Sequence, residues 1–139
     1  MSAAYLADTS AWHRSGANAK IRDRWSDLLL SGSLVTSSPV RLELLYSARG
    51  PADYLALADD LAALPELPLD EAATERAEEV QTLLAGRSHR RGPTPADLYI
   101  AAIAELNGAT LVHYDRHFDV IARVTGQPTE WIAPRGTLD

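Results

Sequence analysis

Four acidic residues stand where a carboxylate could take part in chemistry. Asp8 and Asp115 each follow a short apolar run typical of a buried strand, and Asp97 begins a strongly apolar helical segment. Glu43 lies early in another such segment, residues 40–45. Several carboxylates gathered in one pocket repel one another and require a cation. Oxygen ligands of this kind suit Mg²⁺ or Mn²⁺, and such an ion supports attack of an activated water on a phosphodiester.

The elements expected to position these acids alternate between short strands and helices. Strands are predicted over residues 4–7, 33–36, 67–69, 110–113 and 131–133, and helices over residues 17–30, 38–49, 51–64, 71–84, 94–107 and 116–125. This alternation predicts an α/β domain with a mostly parallel central sheet and helices on both faces. In such a sheet, the carboxyl ends of the strands and the starts of the following helices share one edge. We therefore expect all four acids at that edge.

Each acid also has a purely structural explanation. Asp8 could cap the turn that follows it, and Asp97 could complete a capping box with Thr94. Asp115 could form an Asx turn, and Glu43 could be a solvated helix residue. The joint placement of the four acids, at strand ends and at the starts of apolar helices, favours a common site over four unrelated roles.

The composition is that of one globular domain. The 139 residues are 46% hydrophobic and 23% charged, so we expect a single domain over residues 1–139 with a buried core. The absence of cysteine excludes a disulfide scaffold, a cysteine nucleophile and an iron–sulfur site. No secretory signal or membrane-spanning run is visible, so we expect a cytoplasmic protein that does not bind membranes. The net charge of −6 argues against bulk attraction to nucleic acid.

The acids lie within motifs whose order and spacing are specific when taken together. The motifs are YLADTS at residues 5–10, RLEL at 41–44, PADLYIAA at 95–102 and HYDRHFDVIA at 113–122, followed by QP at 127–128 and EW at 130–131. From the first motif to the last, they extend over nearly the whole chain. The chain resembles the PIN-domain ribonucleases, and among these the VapC toxins of type II toxin–antitoxin systems.

The resemblance implies a fold, an activity and partners. The fold is an α/β/α sandwich, and the activity is that of an endoribonuclease toxin that depends on Mg²⁺ or Mn²⁺ and cleaves RNA phosphodiesters. The motif positions that match the family's metal-holding acids are Asp8, Glu43, Asp97 and Asp115, and Ser10 matches a hydroxyl residue that supports the site. The implied partners are an RNA substrate, a VapB-type antitoxin whose tail covers the site, and a second copy of the chain in a homodimer.

One position departs from the family pattern. Many relatives carry a further aspartate two positions after the fourth acid, where this chain has His117. His117 could bind a metal weakly, contact phosphate when protonated, or leave a second ion poorly held, so the number of ions stays open. A zinc site that combines His117 with His113 lacks a third ligand in the sequence.

Arginines close to the acids in the sequence are candidates for binding RNA phosphates. The candidates are Arg87, Arg90 and Arg91, which precede the predicted helix of Asp97, and Arg116, which follows Asp115. Guanidinium groups suit phosphate, and these residues are expected to flank the acidic edge. The alternative is that residues 87–91 form an ordinary solvated loop.

Two other functional classes can be weighed against the nuclease. A receiver-type signalling domain also gathers aspartates and Mg²⁺ at strand ends, but it needs an acidic pair after the first strand and a lysine after a late strand. The only lysine here is Lys20, which lies too early in the chain. The second alternative is a catalytically inactive PIN-like module that binds RNA or protein, in which His117 would be a sign of lost activity.

Overall fold

A parallel sheet lies at the centre of the computed structural model, which describes residues 3–87 and 92–138. Its five strands are β1 (Tyr5–Ala7), β2 (Leu34–Ser37), β3 (Glu66–Leu67), β4 (Thr110–His113) and β5 (Thr129–Trp131). Across the sheet they follow the order β3-β2-β1-β4-β5, and every neighbouring pair is parallel. Strands β1 and β4 are therefore adjacent although about 100 residues separate them along the chain. This pairing brings Asp8 and Asp115 to the same edge of the sheet.

Helices cover both faces of the sheet. Within the described residues they are α1 (Thr9–His13), α2 (Ala19–Leu30), α3 (Ser38–Tyr46), α4 (Pro51–Ala62), α5 (Glu71–Gly86), α6 (Pro95–Leu106) and α7 (Arg116–Thr125). None of these helices is both long and apolar enough to cross a membrane. The α/β/α sandwich with a parallel central sheet confirms the predicted fold class.

The alternation of side chains along the strands divides the core into two clusters. Leu6 of β1 and Leu111 of β4 pack with buried residues of α3, α5, α6 and α7. Their neighbours Ala7 and Val112 point to the other face and pack with α1 and α2. The three inner strands β2, β1 and β4 are mostly buried on both faces, which explains why they are short, largely apolar runs in the sequence.

Some boundaries differ from those predicted. Helix α3 begins at Ser38 and ends at Tyr46, whereas the sequence places its end near residue 49. The hydroxyl of Ser47 donates a hydrogen bond to the carbonyl of Leu44 at 2.7 Å, which satisfies one of the last carbonyls and ends the helix early. Gly50 is instead the residue before α4, whose first position is Pro51.

Strand β5 and helix α1 also differ from the prediction. Strand β5 covers Thr129–Trp131 instead of residues 131–133, although the amide of Ile132 still donates to the carbonyl of His113 at 2.8 Å. The short helix α1 was not predicted, because five residues are too few to show helical periodicity.

We expect Phe118→Ala to lower the free energy of unfolding by about 3–5 kcal/mol, because it leaves a cavity in the core. Phe118 has no exposed surface and packs with α5 and α6 residues in the larger cluster. Denaturant unfolding followed by circular dichroism measures the change. The matched control is Leu30→Ala, at a side chain that is 87% exposed, with an expected change below about 0.5 kcal/mol. Equal losses in both variants would contradict the assignment of the core.

Candidate metal centre

Three potential ligands from two helix starts converge at the carboxyl edge of the sheet. Asp97 lies in the first turn of α6, Asp115 directly precedes α7, and His117 is the second residue of α7. One ligand atom from each lies within 4.8 Å of the other two. Nδ1 of His117 is 3.5 Å from Oδ2 of Asp97 and 3.5 Å from Oδ1 of Asp115. Atoms this close, two of them on carboxylates, can share one divalent cation.

The helix caps hold these carboxylates in place. Oδ2 of Asp97 accepts a hydrogen bond from the amide of Thr94 at 3.0 Å, and the Thr94 hydroxyl accepts from the amide of Asp97 at 3.2 Å. Oδ1 of Asp115 accepts from the amide of His117 at 2.9 Å. The structural roles considered from the sequence are therefore real. These hydrogen bonds orient the carboxylates and leave one oxygen of each available for an ion, because that second oxygen accepts no hydrogen bond from the described residues.

Asp8 is the most deeply buried of the four predicted acids, with 4% of its surface exposed. It caps α1 by accepting a hydrogen bond from the amide of Ala11 at 3.2 Å. Burial raises the pKa of Asp8 to about 7, and the negative charge of Asp97 adds to the increase against the opposing hydrogen bonds of Ser10 and Ala11. Near neutral pH the carboxyl group is therefore only partly ionised, and a nearby cation would favour its ionised form.

The same electrostatic effect connects Asp97 with its neighbours. Its pKa is raised first by burial and then by the charge of Asp115, while hydrogen bonds from Thr94 and the proximity of His117 oppose the increase. Asp8, Asp97 and Asp115 thus form a connected series in which each acid makes ionisation of the next less favourable. Such a series is stabilised by a bound cation.

Ser10 connects the ends of the two central strands. Its hydroxyl donates to Oδ1 of Asp8 at 2.6 Å and accepts from the amide of Tyr114 at 2.8 Å. The first bond fixes the Asp8 carboxylate, and the second ties helix α1 to the residue that follows β4. These contacts are what a residue that supports the site would make, as the family resemblance implies for Ser10.

Glu43 occupies a different position from the other acids. Its Oε1 accepts a hydrogen bond from the hydroxyl of Thr9 at 2.9 Å, which links α3 to α1. It is not among the three residues whose ligand atoms lie within 4.8 Å of one another. Thr9 was not identified from the sequence, although it lies next to Asp8 in the first motif. The role of Glu43 as a metal ligand stays a prediction.

The two histidines of the fourth motif do not form a joint site. His113 is fully buried, and its ring lies 5.2 Å from that of Phe118 and 4.9 Å from that of Trp131, between centroids. Burial lowers the pKa of His113 to about 4, so it is neutral at physiological pH. Its Nδ1 accepts a hydrogen bond from the amide of Asp115 at 3.2 Å. Of the two histidines, His117 alone belongs to the group of potential ligands found among the described residues.

The candidate RNA-binding arginines are only partly described. Arg87 follows α5 and is exposed, and Arg116 is the exposed first residue of α7, next to Asp115. Arg90 and Arg91 lie outside the described residues. The position of Arg116 agrees with a role beside the acidic edge, and the other candidates stay predictions.

Comparison with known proteins gives this arrangement a family. The model of the PIN domain matches residues 5–124. Ribonuclease VapC18 from Mycobacterium tuberculosis (strain ATCC 25618 / H37Rv) is 46% identical over 136 residues, which cover 96% of this chain and 98% of the relative. The chain is a PIN-domain protein of the VapC family. Ribonuclease VapC51 from the same strain is 40% identical over 139 residues and matches this VapC-family chain over the full length of both.

Solved structures show the same fold. A chain of the DNA-bound VapBC from Salmonella typhimurium superposes with a TM-score of 0.79 at 24% identity, covering 95% of this VapC-family chain and all of the other. A chain of VapBC2 from Rickettsia felis, bound to a promoter DNA fragment, gives a TM-score of 0.76 at 21% identity, with coverage of 91% and 97%. These structures agree with the fold, and the family model and the curated relatives confirm the resemblance identified from the four motifs.

We expect the contribution of Asp8 to the stability of the metal-free protein to fall as the pH rises towards 7, and Asp8→Asn to remove this contribution. The pKa of Asp8 is about 7 in the folded chain and 3.8 as an ordinary aspartate, so the folded state binds the proton more tightly. Stability from this group is complete below pH 4 and is lost between the two pKa values, by up to about 1.4 kcal/mol per pH unit.

Denaturant unfolding in a chelating buffer from about pH 4.5 to about pH 8 measures that slope over most of the interval between the two pKa values. Asp59→Asn, at an exposed acid of α4, is the matched control and should keep the slope of the unchanged chain. The lowered pKa of His113 makes its contribution to stability rise with pH, which is opposite to that of Asp8. His113 is present in every variant, so it does not affect the comparison. Identical slopes for Asp8→Asn and the unchanged chain would show that folding does not raise the pKa of Asp8.

Proposed function

We propose that this chain is the endoribonuclease toxin of a toxin–antitoxin pair and that its active site is the pocket of Asp8, Asp97, Asp115 and His117. The observation that carries the proposal is the convergence of Asp97, Asp115 and His117 within 4.8 Å beside a buried aspartate whose pKa is raised. Curated relatives that match nearly the whole chain are named ribonucleases, which supports RNA as the substrate.

The donor set favours Mg²⁺, with Mn²⁺ able to replace it. Carboxylate oxygens dominate the pocket, and hard oxygen ligands suit these ions better than softer metals. When bound, such an ion supplies the acidity that makes water a nucleophile at neutral pH and offsets the charge that develops on the phosphate. Asp97 and Asp115 would hold it directly, and His117 offers a nitrogen within the same group.

The residues of the chain itself have clear tasks in this arrangement. Helix caps fix the carboxylates of Asp97 and Asp115, and Ser10 fixes that of Asp8, so no reorganisation is needed when substrate arrives. Burial of Asp8 and Asp97 strengthens their interaction with cations, while Asp115 and His117 stay partly exposed and leave the pocket open to substrate. No side chain here is proposed as a covalent nucleophile.

Glu43 is proposed as a fourth acid that acts from the side of α1. Its hydrogen bond to Thr9 connects it to α1, the helix that Asp8 caps. From that position it would hold an ion through water or bind a second one. The presence of His117 beside Asp115 is the reason the number of ions is not assigned.

The partners proposed are an RNA strand, a VapB-type antitoxin and a second copy of the chain. The structural neighbours are chains of VapBC complexes, which supports the antitoxin. A cationic side chain of the antitoxin tail entering the acidic pocket would replace the charge of the metal. We propose that residues 1–139 form one domain and that this domain makes all of these contacts.

We expect Asp97→Asn to abolish metal-dependent RNA cleavage, with a loss of at least about 100-fold, because it removes a central charge from the pocket. The fold should persist, since the asparagine oxygen can still accept the hydrogen bond from the amide of Thr94. Cleavage of a fluorescent single-stranded RNA in Mg²⁺ measures activity, and circular dichroism measures folding. Asp59→Asn removes the same charge from an exposed site on α4 and should retain full activity. Undiminished cleavage by folded Asp97→Asn would overturn the proposal.

We expect Mn²⁺ binding at pH 6 to release close to one proton, because Asp8 with a pKa of about 7 is mostly protonated before the ion arrives. At pH 8 the release should nearly disappear. Isothermal titration calorimetry in buffers of different ionisation enthalpy measures the number of protons. An absence of Mn²⁺ binding, or proton release that does not change between the two pH values, would contradict the assignment of Asp8 to the metal pocket.

A further inference from the structure

A groove with two arginines and two aromatic rings lies beside the metal centre. It is lined by Tyr114, Asp115, Arg116, Trp131, Arg135 and Gly136. Asp115 belongs both to this groove and to the ligand group, so the groove opens directly onto the metal centre. A molecule bound in the groove would therefore lie next to the position of the reaction.

The C-terminal turn that carries Arg135 is held firmly against the sheet. Both the amide and the hydroxyl of Thr137 donate to the carbonyl of Pro134, at 3.1 Å and 2.6 Å, which closes the turn. Gly136 has a φ of 80°, a conformation that other residues rarely adopt. The phenol oxygen of Tyr114 accepts from the amide of Leu138 at 2.9 Å, so the turn is tied to the residue before Asp115.

The aromatic walls of the groove are fixed as well. The ring of Trp131 meets that of Tyr114 edge-on, with centroids 5.3 Å apart, and its Nε1 donates to Asp119 at 3.1 Å. The guanidinium of Arg14 lies over the Tyr114 ring at 4.5 Å. Both rings thus keep one orientation and need no ordering when a ligand binds.

The two arginines of the groove differ from three others in the described part of the chain, which are held in ion pairs. Arg24, Arg41 and Arg76 each pair with a glutamate. Arg116 and Arg135 are exposed, and neither forms an ion pair with a described residue. Among the described residues, Asp115 is the only acid in the lining, and a cation in the metal centre would offset its charge. The groove is then cationic and suited to an anionic ligand.

We infer that this groove binds the single-stranded RNA next to the phosphate that is cut, with Arg135 and Arg116 on backbone phosphates and Trp131 as an apolar wall. This inference rests on the proposed function and assigns the substrate contacts of that site. Guanidinium groups bind phosphate oxygens through paired donors. Cationic grooves that contain aromatic rings are typical of proteins that bind single strands without reading sequence.

The test measures RNA binding in an Asp97→Asn background, so that cleavage does not interfere. Fluorescence anisotropy gives the affinity of a labelled single-stranded RNA for Asp97→Asn, for Asp97→Asn with Arg135→Ala, and for Asp97→Asn with Arg123→Ala. Arg123 is an exposed arginine in the last turn of α7, about 10 Å further along that helix than Arg116, and it controls for loss of one positive charge.

We expect Arg135→Ala to weaken binding about 5- to 10-fold and to reduce the slope of log affinity against log salt by about 0.7, as for one lost phosphate contact on a single strand. Arg123→Ala should leave both unchanged. Equal binding by the Arg135→Ala and Arg123→Ala variants would overturn the inference, and the groove would then fit an acidic segment of a protein partner better than RNA.

A separate assay distinguishes this failure from failure of the proposed function. Hydrolysis of bis(4-nitrophenyl) phosphate in Mn²⁺ requires the metal centre. This ester is too small to reach a second phosphate site. We expect Arg123→Ala to keep the rate of the unchanged chain on both substrates, and Arg135→Ala to lose a larger factor on RNA than on this ester. If Arg135→Ala lowers both rates equally, its effect is on the metal centre and the groove assignment is wrong. If the unchanged chain cleaves neither substrate, the proposed function fails instead.

Discussion

Carboxylates brought together at the carboxyl edge of the sheet repel one another, and burial makes their ionisation more costly still. Asp8 shows this most clearly, because its pKa rises to about 7 through burial and the nearby charge of Asp97. A protein that needed only a stable fold would gain by replacing such a group with a neutral one. The cost is understandable if the pocket exists to hold a cation, and the rest of the site is arranged around that requirement.

The fold places this pocket by ordinary means. Three helices, α1, α6 and α7, begin at the same edge of the parallel sheet, and an aspartate caps each of them or completes its capping box. The same three carboxylates form the electrostatic series of the metal centre. Capping and metal binding are therefore not alternatives, since a carboxylate can accept a backbone amide with one oxygen and keep the other for an ion.

Much of this could be predicted from the sequence because the signals are local. The apolar runs before Asp8 and Asp115 and the Thr94 capping box are each contained in a few residues. The contacts across elements could not be predicted in that way, because no local pattern records them. Examples are the hydrogen bond of Glu43 to Thr9 and the tie between Tyr114 and the C-terminal turn. Helix α1 was missed because its five residues are too few to show helical periodicity, although the sequence does indicate the cap that Asp8 provides.

The anomalous difference density of a crystal soaked in Mn²⁺ tests the central claim most directly. We expect a peak in direct coordination distance of Asp97 and Asp115, adjacent to His117 and on the side of the pocket where Asp8 lies. Ions found only elsewhere on the protein, with these carboxylates turned away from one another, would contradict the assignment of the pocket as a metal centre.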